Sequence, residues 1–321
     1  ITMLPDAVVG EFSLDAGETP PALSLYAELD ADLNVVATRT TLERVTMASN
    51  LRIPVLDQGR WLEPGNDGAA DNPHAALLRT LLAFARKLAT ERGEQTVNRL
   101  DYNFIVSGHP DAADCRIDIT TRQRGSAVDT LVSELMIFAN VSWAKALAAR
   151  EWVGMFRVQG AGKTRMSTAP GAHEGLNVPC YLWATSPLRR YSDLVNQRQL
   201  IALTREDAAP YQRGNAELLS AVADFDATYS GYAEFQQQME FYWCLRYVQQ
   251  EAISKLTARV IRENLVRFDR LPIVQRLNDM PFQDAGTQVI VAVAEIDLFE
   301  PALHVRFVET VPGSADVATR S

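Results

Sequence analysis

Cysteine is scarce and scattered in this chain. Cys115, Cys180 and Cys244 stand far apart and none belongs to a C-x-x-C pair. That removes a disulfide framework and a zinc site from consideration, and it fits a reducing cytoplasm. Histidine is as sparse: His74, His109, His173 and His304 have neither the spacing nor the acid partners of a metal site or triad. No run approaches the roughly 18 uninterrupted apolar residues of a membrane helix, so no membrane partner is expected. The opening residues Ile1-Thr2-Met3-Leu4-Pro5 lack the basic-then-apolar order of a signal peptide. Internal repeats and low-complexity blocks are missing too. Nor is positive charge in excess: 31 Lys and Arg face 40 Asp and Glu, a net charge of -9. A protein that coats itself in nucleic acid shows the opposite balance. Any RNA bound here therefore belongs in a confined channel behind an acidic exterior.

What is present is an ordinary globular balance, 47% hydrophobic and 22% charged, and 321 residues suffice for one large domain and a small one. Alternation through residues 22–50, broken at Asp30-Ala31-Asp32, predicts a β-hairpin. Gly, Pro, Asn and Asp make 57–73 a loop. Leu77, Leu78, Leu81, Leu82, Phe84, Ala85 and Leu88 recur at helical spacing up to about Ala89. Strands follow between Asp101 and Thr120 around a turn at His109-Pro110, then a helix from Ser126 to Ala149. Strand and loop return over 154–163. Helices are predicted from Ser186 to about Thr204 and from about Ala216 to Ile253. After Lys255 the short apolar runs 258–261, 265–268, 288–293 and 303–307 predict a small barrel, an OB-fold, and 313–321 reads as a loose tail. The expected domains are 1–255 and 256–312.

The most informative stretch is Tyr181-Leu182-Trp183-Ala184-Thr185-Ser186-Pro187-Leu188-Arg189-Arg190-Tyr191-Ser192-Asp193-Leu194. Ser186 suits an N-cap and Pro187 the first helical position. Arg189 and Arg190 would then lie in the first turn, where a cation is disfavoured by a few tenths up to ~1 kcal/mol. An anion bound at that end would reverse the sign, and guanidinium donors match phosphate oxygens. The plainer alternative pairs Arg189 with Asp193 at i+4 on a solvated helix face.

This run resembles the signature of the ribonuclease II (RNB) family, Tyr-x-x-x-Thr-Ser-Pro-Ile/Leu-Arg-Arg/Lys-Tyr-x-Asp-Leu/Met followed by Asn/His and Arg. It matches at Tyr181, Thr185, Ser186, Pro187, Leu188, Arg189, Arg190, Tyr191, Asp193, Leu194, Asn196 and Arg198. Met3-Leu4-Pro5 with Phe12-Ser13-Leu14, Ser133 to Asn140, Ser167-Thr168 and His173-Glu174-Gly175-Leu176 resemble further family segments, so the likeness covers roughly 1–310.

The resemblance implies an α+β fold, an RNB-type barrel or sheet packed by helices, followed by a small all-β RNA-binding OB-fold. It also implies 3′-to-5′ hydrolysis of single-stranded RNA to nucleoside 5′-monophosphates, with Mg²⁺ held by four aspartates in a D-x5-D-x-D-D pattern. Two such ions would activate a water and stabilise the leaving oxygen. Arg189 aligns with the family arginine at the scissile phosphate, a catalytic role in stabilising developing charge. Glu134, Trp183, Thr185, Ser186, Arg190 and Tyr191 fall at positions implied to line the RNA path. Glu134 should point inward beside Leu131, Ile137 and Phe138, to accept a ribose 2′-OH or to pair with an arginine. Trp183 stands where better-known members have His or Thr, and serves either to stack on a base for ~1–3 kcal/mol or as core. His173 matches the motif and is expected behind the contact residues. Gln197 replaces a frequent His, Ser133 an acid, and Val97 falls near an expected base-stacking Phe.

No D-x-D-D occurs in the 321 residues. Asp30/Asp32 and Asp224/Asp226 come nearest and read as solvated surface. In the family the cluster precedes the Met-Leu-Pro segment, so the Mg²⁺ ligands are expected upstream of residue 1, and the chain alone is expected to be inactive. The alternative is a catalytically inactive, RNA-binding or regulatory relative.

Overall fold

In the computed structural model of the protein, residues 3–58, 72–93, 100–109 and 114–311 are described. The Pro110 turn, the position of Val97, most of the 57–73 loop and the expected tail from 313 lie outside the described residues. By contact the chain divides into one unit of 1–98 with 124–229 and a second of 99–123 with 230–321. The second takes in the 99–123 segment, so this division cuts the chain differently from a boundary at residue 255.

In the first unit, α1 (Asp6–Phe12) precedes an antiparallel hairpin of β1 (Pro21–Leu29) and β2 (Val35–Arg44). Asp30 shapes its turn by accepting from the backbone N–H groups of Asp32 and Asn34 at 2.9 and 2.8 Å. A short α2 (Ile53–Gln58) and the long α3 (Ala75–Arg92) follow. The latter stops at Gly93, whose φ of 73° is the left-handed conformation that glycine adopts without strain. Next in this unit is α4 (Ala127–Ala149), which begins where the sequence places it: the Ser126 hydroxyl accepts from the Asp129 N–H at 3.1 Å. Leu56, Leu78 and Leu82 pack on Val128 and Leu131, while Trp143 and Leu147 enter a second core with Phe156, Leu182 and Leu200. Among the described residues α4 is the helix long and apolar enough to cross a bilayer. Its inward Glu134 and Asn140, both buried and hydrogen-bonded, are what a core helix in water carries.

Short strands β5 (Phe156–Val158) and β6 (Arg165–Ser167) pair antiparallel, a single 3-10 turn covers Glu174–Leu176, and α5 (Tyr191–Arg205) follows. Here the structure corrects the expected helix start. Ser186 and Pro187 form a separate turn in which the Ser186 carbonyl accepts from the Arg189 and Arg190 N–H groups at 3.3 and 3.1 Å. Arg190 then becomes extended, with φ -130° and ψ 119°, and occupies the N-cap position itself. The two cations therefore avoid the first helical turn, and its acid is Asp193.

α6 (Ala216–Gln250) is a single helix of 35 residues. In the second unit, β3 (Leu100–Ser107) and β4 (Arg116–Gln123) form a hairpin. A five-stranded antiparallel sheet there joins β7 (Lys255–Arg262), β8 (Leu265–Phe268), β9 (Val274–Arg276), β10 (Gln288–Asp297) and β11 (Ala302–Thr310) in the order β11-β10-β7-β8-β9. Alternate residues Ala258, Val260, Val266, Phe268, Val289 and Val291 are buried with Cys244, Leu245 and Val248 of α6. The sheet curls far enough that Gln275 on one edge strand donates to the Leu303 carbonyl of the other at 3.0 Å. The α+β architecture ending in a small all-β barrel is thus the one expected.

Leu245 is wholly buried in this core. Leu245→Ala should lower the unfolding free energy by about 2–5 kcal/mol. A urea titration tests this; a change under ~1 kcal/mol would mean the site is not packed as described.

Candidate RNA-contact site

The loop from Tyr181 to Arg190 owes its shape to buried amides and one buried acid. Asn140 of α4 accepts the Ala184 N–H at 3.0 Å and donates to the Tyr181 hydroxyl at 3.3 Å. Asn196 of α5 donates to the carbonyls of Trp183 and Met155, at 2.8 and 3.0 Å, and accepts the Met155 N–H at 2.8 Å. Gln197, beside it, donates to the Ala184 carbonyl at 2.8 Å. Strand β5 flanks the loop, the Arg157 N–H donating to the Tyr181 carbonyl at 2.8 Å. A backbone held from three elements has little freedom, so the side chains it carries are placed in advance.

Asp193 closes the far end. Fully buried, it accepts the Ser186 N–H at 2.8 Å and the Arg190 guanidinium at 2.6 Å through one oxygen, and the Ser192 hydroxyl at 3.1 Å through the other. The i+4 pairing of Arg189 with Asp193 is therefore replaced by a buried i+3 pair with Arg190. Arg190 also reaches the Thr185 hydroxyl at 3.5 Å, and its guanidinium carbon lies 4.3 Å from the Trp183 ring centroid.

Arg189 differs from its neighbour. It is exposed, its guanidinium donates to the Ser186 hydroxyl at 3.3 Å, and among the described residues it has no acidic partner. Tyr191 is exposed as well, at the first position of α5. Trp183, Thr185, Ser186, Arg189 and Arg190 on the loop and Tyr191 at the start of α5 are thus brought together in one short segment. Glu134 points inward as expected, but its two oxygens take the Arg92 guanidinium at 2.5 and 3.2 Å. Arg92 also donates to the Leu176 carbonyl at 2.7 Å. Of the two roles weighed for this acid, the arginine pairing is the one seen in this conformation.

Trp183 is half-buried, edge-on to Phe225 with centroids 6.3 Å apart, and carries a second guanidinium, that of Arg157, at 3.6 Å. Phe225 stacks on Tyr229 at 5.5 Å. Asp226 corrects the surface reading given to it, since it is half-buried and accepts the Met166 N–H. Sequence reasoning missed Arg157, Arg92 and the organising role of Asp193. A lone arginine in a three-residue strand gives no periodic signal, and Arg92 and Glu134 are 42 positions apart.

His173 is buried edge-on to Tyr181, with no partner for its Nδ1 among the described residues. Burial, and then the Arg157 cation, lower its pKa from the ordinary 6.5. Among the described residues no group of three or more His, Cys, Asp or Glu could hold a metal ion.

The family model described as RNB domain matches residues 1–166 and 161–206. Exoribonuclease 2 of Klebsiella pneumoniae (strain 342) is 24% identical over 303 residues, covering 73% of this chain and 46% of that protein. The chain thus spans about half the length of the curated relatives it matches. Three solved structures share the fold. The Dss1 exoribonuclease active-site mutant of Candida glabrata has a TM-score of 0.77 at 19% identity, over 96% of this chain and 45% of that one. Mycoplasma genitalium RNase R with ribose-methylated single-stranded RNA gives 0.74 at 12%, over 96% and 61%. Yeast Ssd1, a pseudonuclease, gives 0.62 at 16%, over 92% and 44%.

The buried imidazole predicts a pH dependence. A folded-state pKa below the unfolded one means that the unfolded chain takes up the proton first. His173 therefore contributes stability above about pH 6.5 that is lost as pH falls through its lowered folded value. Denaturation curves of the wild type and His173→Gln should diverge between pH 8 and 5, on the order of that window, with the wild type losing more. Parallel pH profiles would contradict this.

Proposed function

This chain belongs to the RNB domain family, and from that premise we propose that its full-length parent is a 3′-to-5′ hydrolytic exoribonuclease. Its substrate is single-stranded RNA and its products are nucleoside 5′-monophosphates. The observation that carries the reading is the contrast between two adjacent arginines. Arg190 is committed to Asp193 and Trp183, whereas Arg189 is exposed on a loop fixed from several sides and, among the described residues, lacks an acidic partner. A preorganised guanidinium on a rigid turn suits stabilisation of charge developing on a phosphoryl group.

In this reading Arg189 is the catalytic residue of the chain. Ser186 orients its guanidinium. Thr185, Tyr191 and the Arg190–Trp183 pair form the wall against which the strand lies. Glu134 holds Arg92, which in turn donates to the Leu176 carbonyl. The OB-type barrel holds RNA by backbone contacts with little base-specific readout. Mg²⁺ is proposed as the parent's cofactor, with ligands outside these 321 residues. The described residues offer no group of three or more His, Cys, Asp or Glu to hold it.

A second reading, an RNA-binding body without turnover, is favoured by the lack of a metal-ligating group among the described residues. The fold shared with the pseudonuclease Ssd1 is compatible with it. One experiment separates the two: Mg²⁺-dependent degradation of single-stranded RNA by the parent, its Arg189→Ala variant, and residues 1–321 alone. The proposal predicts turnover by the parent, a fall of about 10²–10³-fold in the variant with binding of long RNA nearly unchanged, and no hydrolysis by the isolated chain. An inactive parent would select the second reading. Unchanged turnover in the variant would remove Arg189 from its role, and hydrolysis by the isolated chain would refute the placement of the ligands.

A further inference from the structure

We propose that Arg157 is a second phosphate-binding residue, receiving a phosphodiester oxygen of the RNA strand from its platform on Trp183; the inference rests on the RNA reading above. Arg157 belongs to the short strand β5, outside the signature loop, and its backbone is fixed by the hydrogen bond to Tyr181. Its guanidinium carbon lies 3.6 Å from the Trp183 centroid and that of Arg190 lies 4.3 Å away. Both guanidinium groups therefore lie against the same indole.

The two cations are not equivalent. Arg190 has the buried Asp193 carboxylate as its counter-ion. Arg157 is half-buried, yet among the described residues its side chain has neither a hydrogen bond nor an ion pair. The nearby carboxylate of Asp226 is turned to the Met166 N–H. Burial is the largest influence on Arg157 and lowers its pKa, the mark of a cation that has lost water without gaining an acceptor. His173, also buried, carries no negative charge and cannot serve as counter-ion. A guanidinium has five N–H donors in one plane, and stacking on an indole fixes that plane while leaving its edge free. Such an edge matches two oxygens of a phosphate.

Trp183 serves in this arrangement as a platform inside the fold, with two guanidinium groups and the Phe225 ring against it.

The test is binding of a short labelled oligoadenylate to the 321-residue chain, by fluorescence anisotropy over a salt series. Arg157→Gln should weaken binding about five- to tenfold and make the slope of log affinity against log salt shallower by about 0.7, the loss of one phosphate contact. Arg157→Lys should keep the slope while losing part of the affinity. If Arg157→Gln binds as tightly as the wild type and the wild type shows salt-dependent binding, the inference fails and the RNA reading stands. Weaker binding by Arg157→Gln with an unchanged slope makes its role structural, which also overturns the inference. If the wild-type chain shows no salt-dependent RNA binding, both fail together. Should Arg157→Gln not fold, the wild type decides. RNA should protect Arg157 from a dicarbonyl arginine reagent, and equal labelling with and without RNA refutes the contact.

Discussion

A buried carboxylate that gathers three donors holds the candidate site together. Asp193 is removed from water at the start of α5, where charge would be costly without partners. The Ser186 amide, the Arg190 guanidinium and the Ser192 hydroxyl satisfy it at hydrogen-bonding distance. Its position in the first helical turn adds the favourable end of the helix dipole. Taking away one member of such a pair typically costs 3–5 kcal/mol, on the order of a large fraction of a domain's stability. Because the acceptor binds residues 186 and 190 at once, it fixes the turn between them, and Arg189 lies inside that turn.

The rest of the loop follows the same economy of means. Asn140 and Asn196 are side-chain amides buried among backbone groups, each acting as donor and acceptor where a strand ladder would otherwise be needed. Buried polar groups that are fully paired rigidify the backbone around them. Most of the signature from Tyr181 to Asn196 therefore encodes loop geometry. Arg189 is the signature arginine that this geometry leaves exposed and, among the described residues, without an acidic partner.

Legibility from sequence followed the range of the interaction. The long helices and the alternating strands after Lys255 carry their periodicity in plain view, so α3, α4, α6 and the curled barrel lie close to where the pattern puts them. Ser126 caps α4 because capping is local. The Ser186-Pro187 pair shows the same local chemistry but is overruled: the Ser186 amide goes to Asp193, seven residues on, and Arg190 is drawn out toward Trp183. Motif matching located the loop, yet it could not apportion the two arginines, since their difference lies in what surrounds each one. Arg157 and Arg92 were illegible for a like reason: their partners are distant in sequence, and neither position has a periodic signature.

The central claim is that the Asp193–Arg190 pair sets the turn, and a double-mutant cycle measures it directly. Asp193→Asn, Arg190→Met and the double variant would be compared by urea unfolding at neutral pH. The account predicts a coupling energy of at least ~1.5 kcal/mol, with the double variant less damaged than the sum of the single ones. Additivity within ~0.5 kcal/mol would contradict it, because two residues that act independently cannot together hold the loop that presents Arg189.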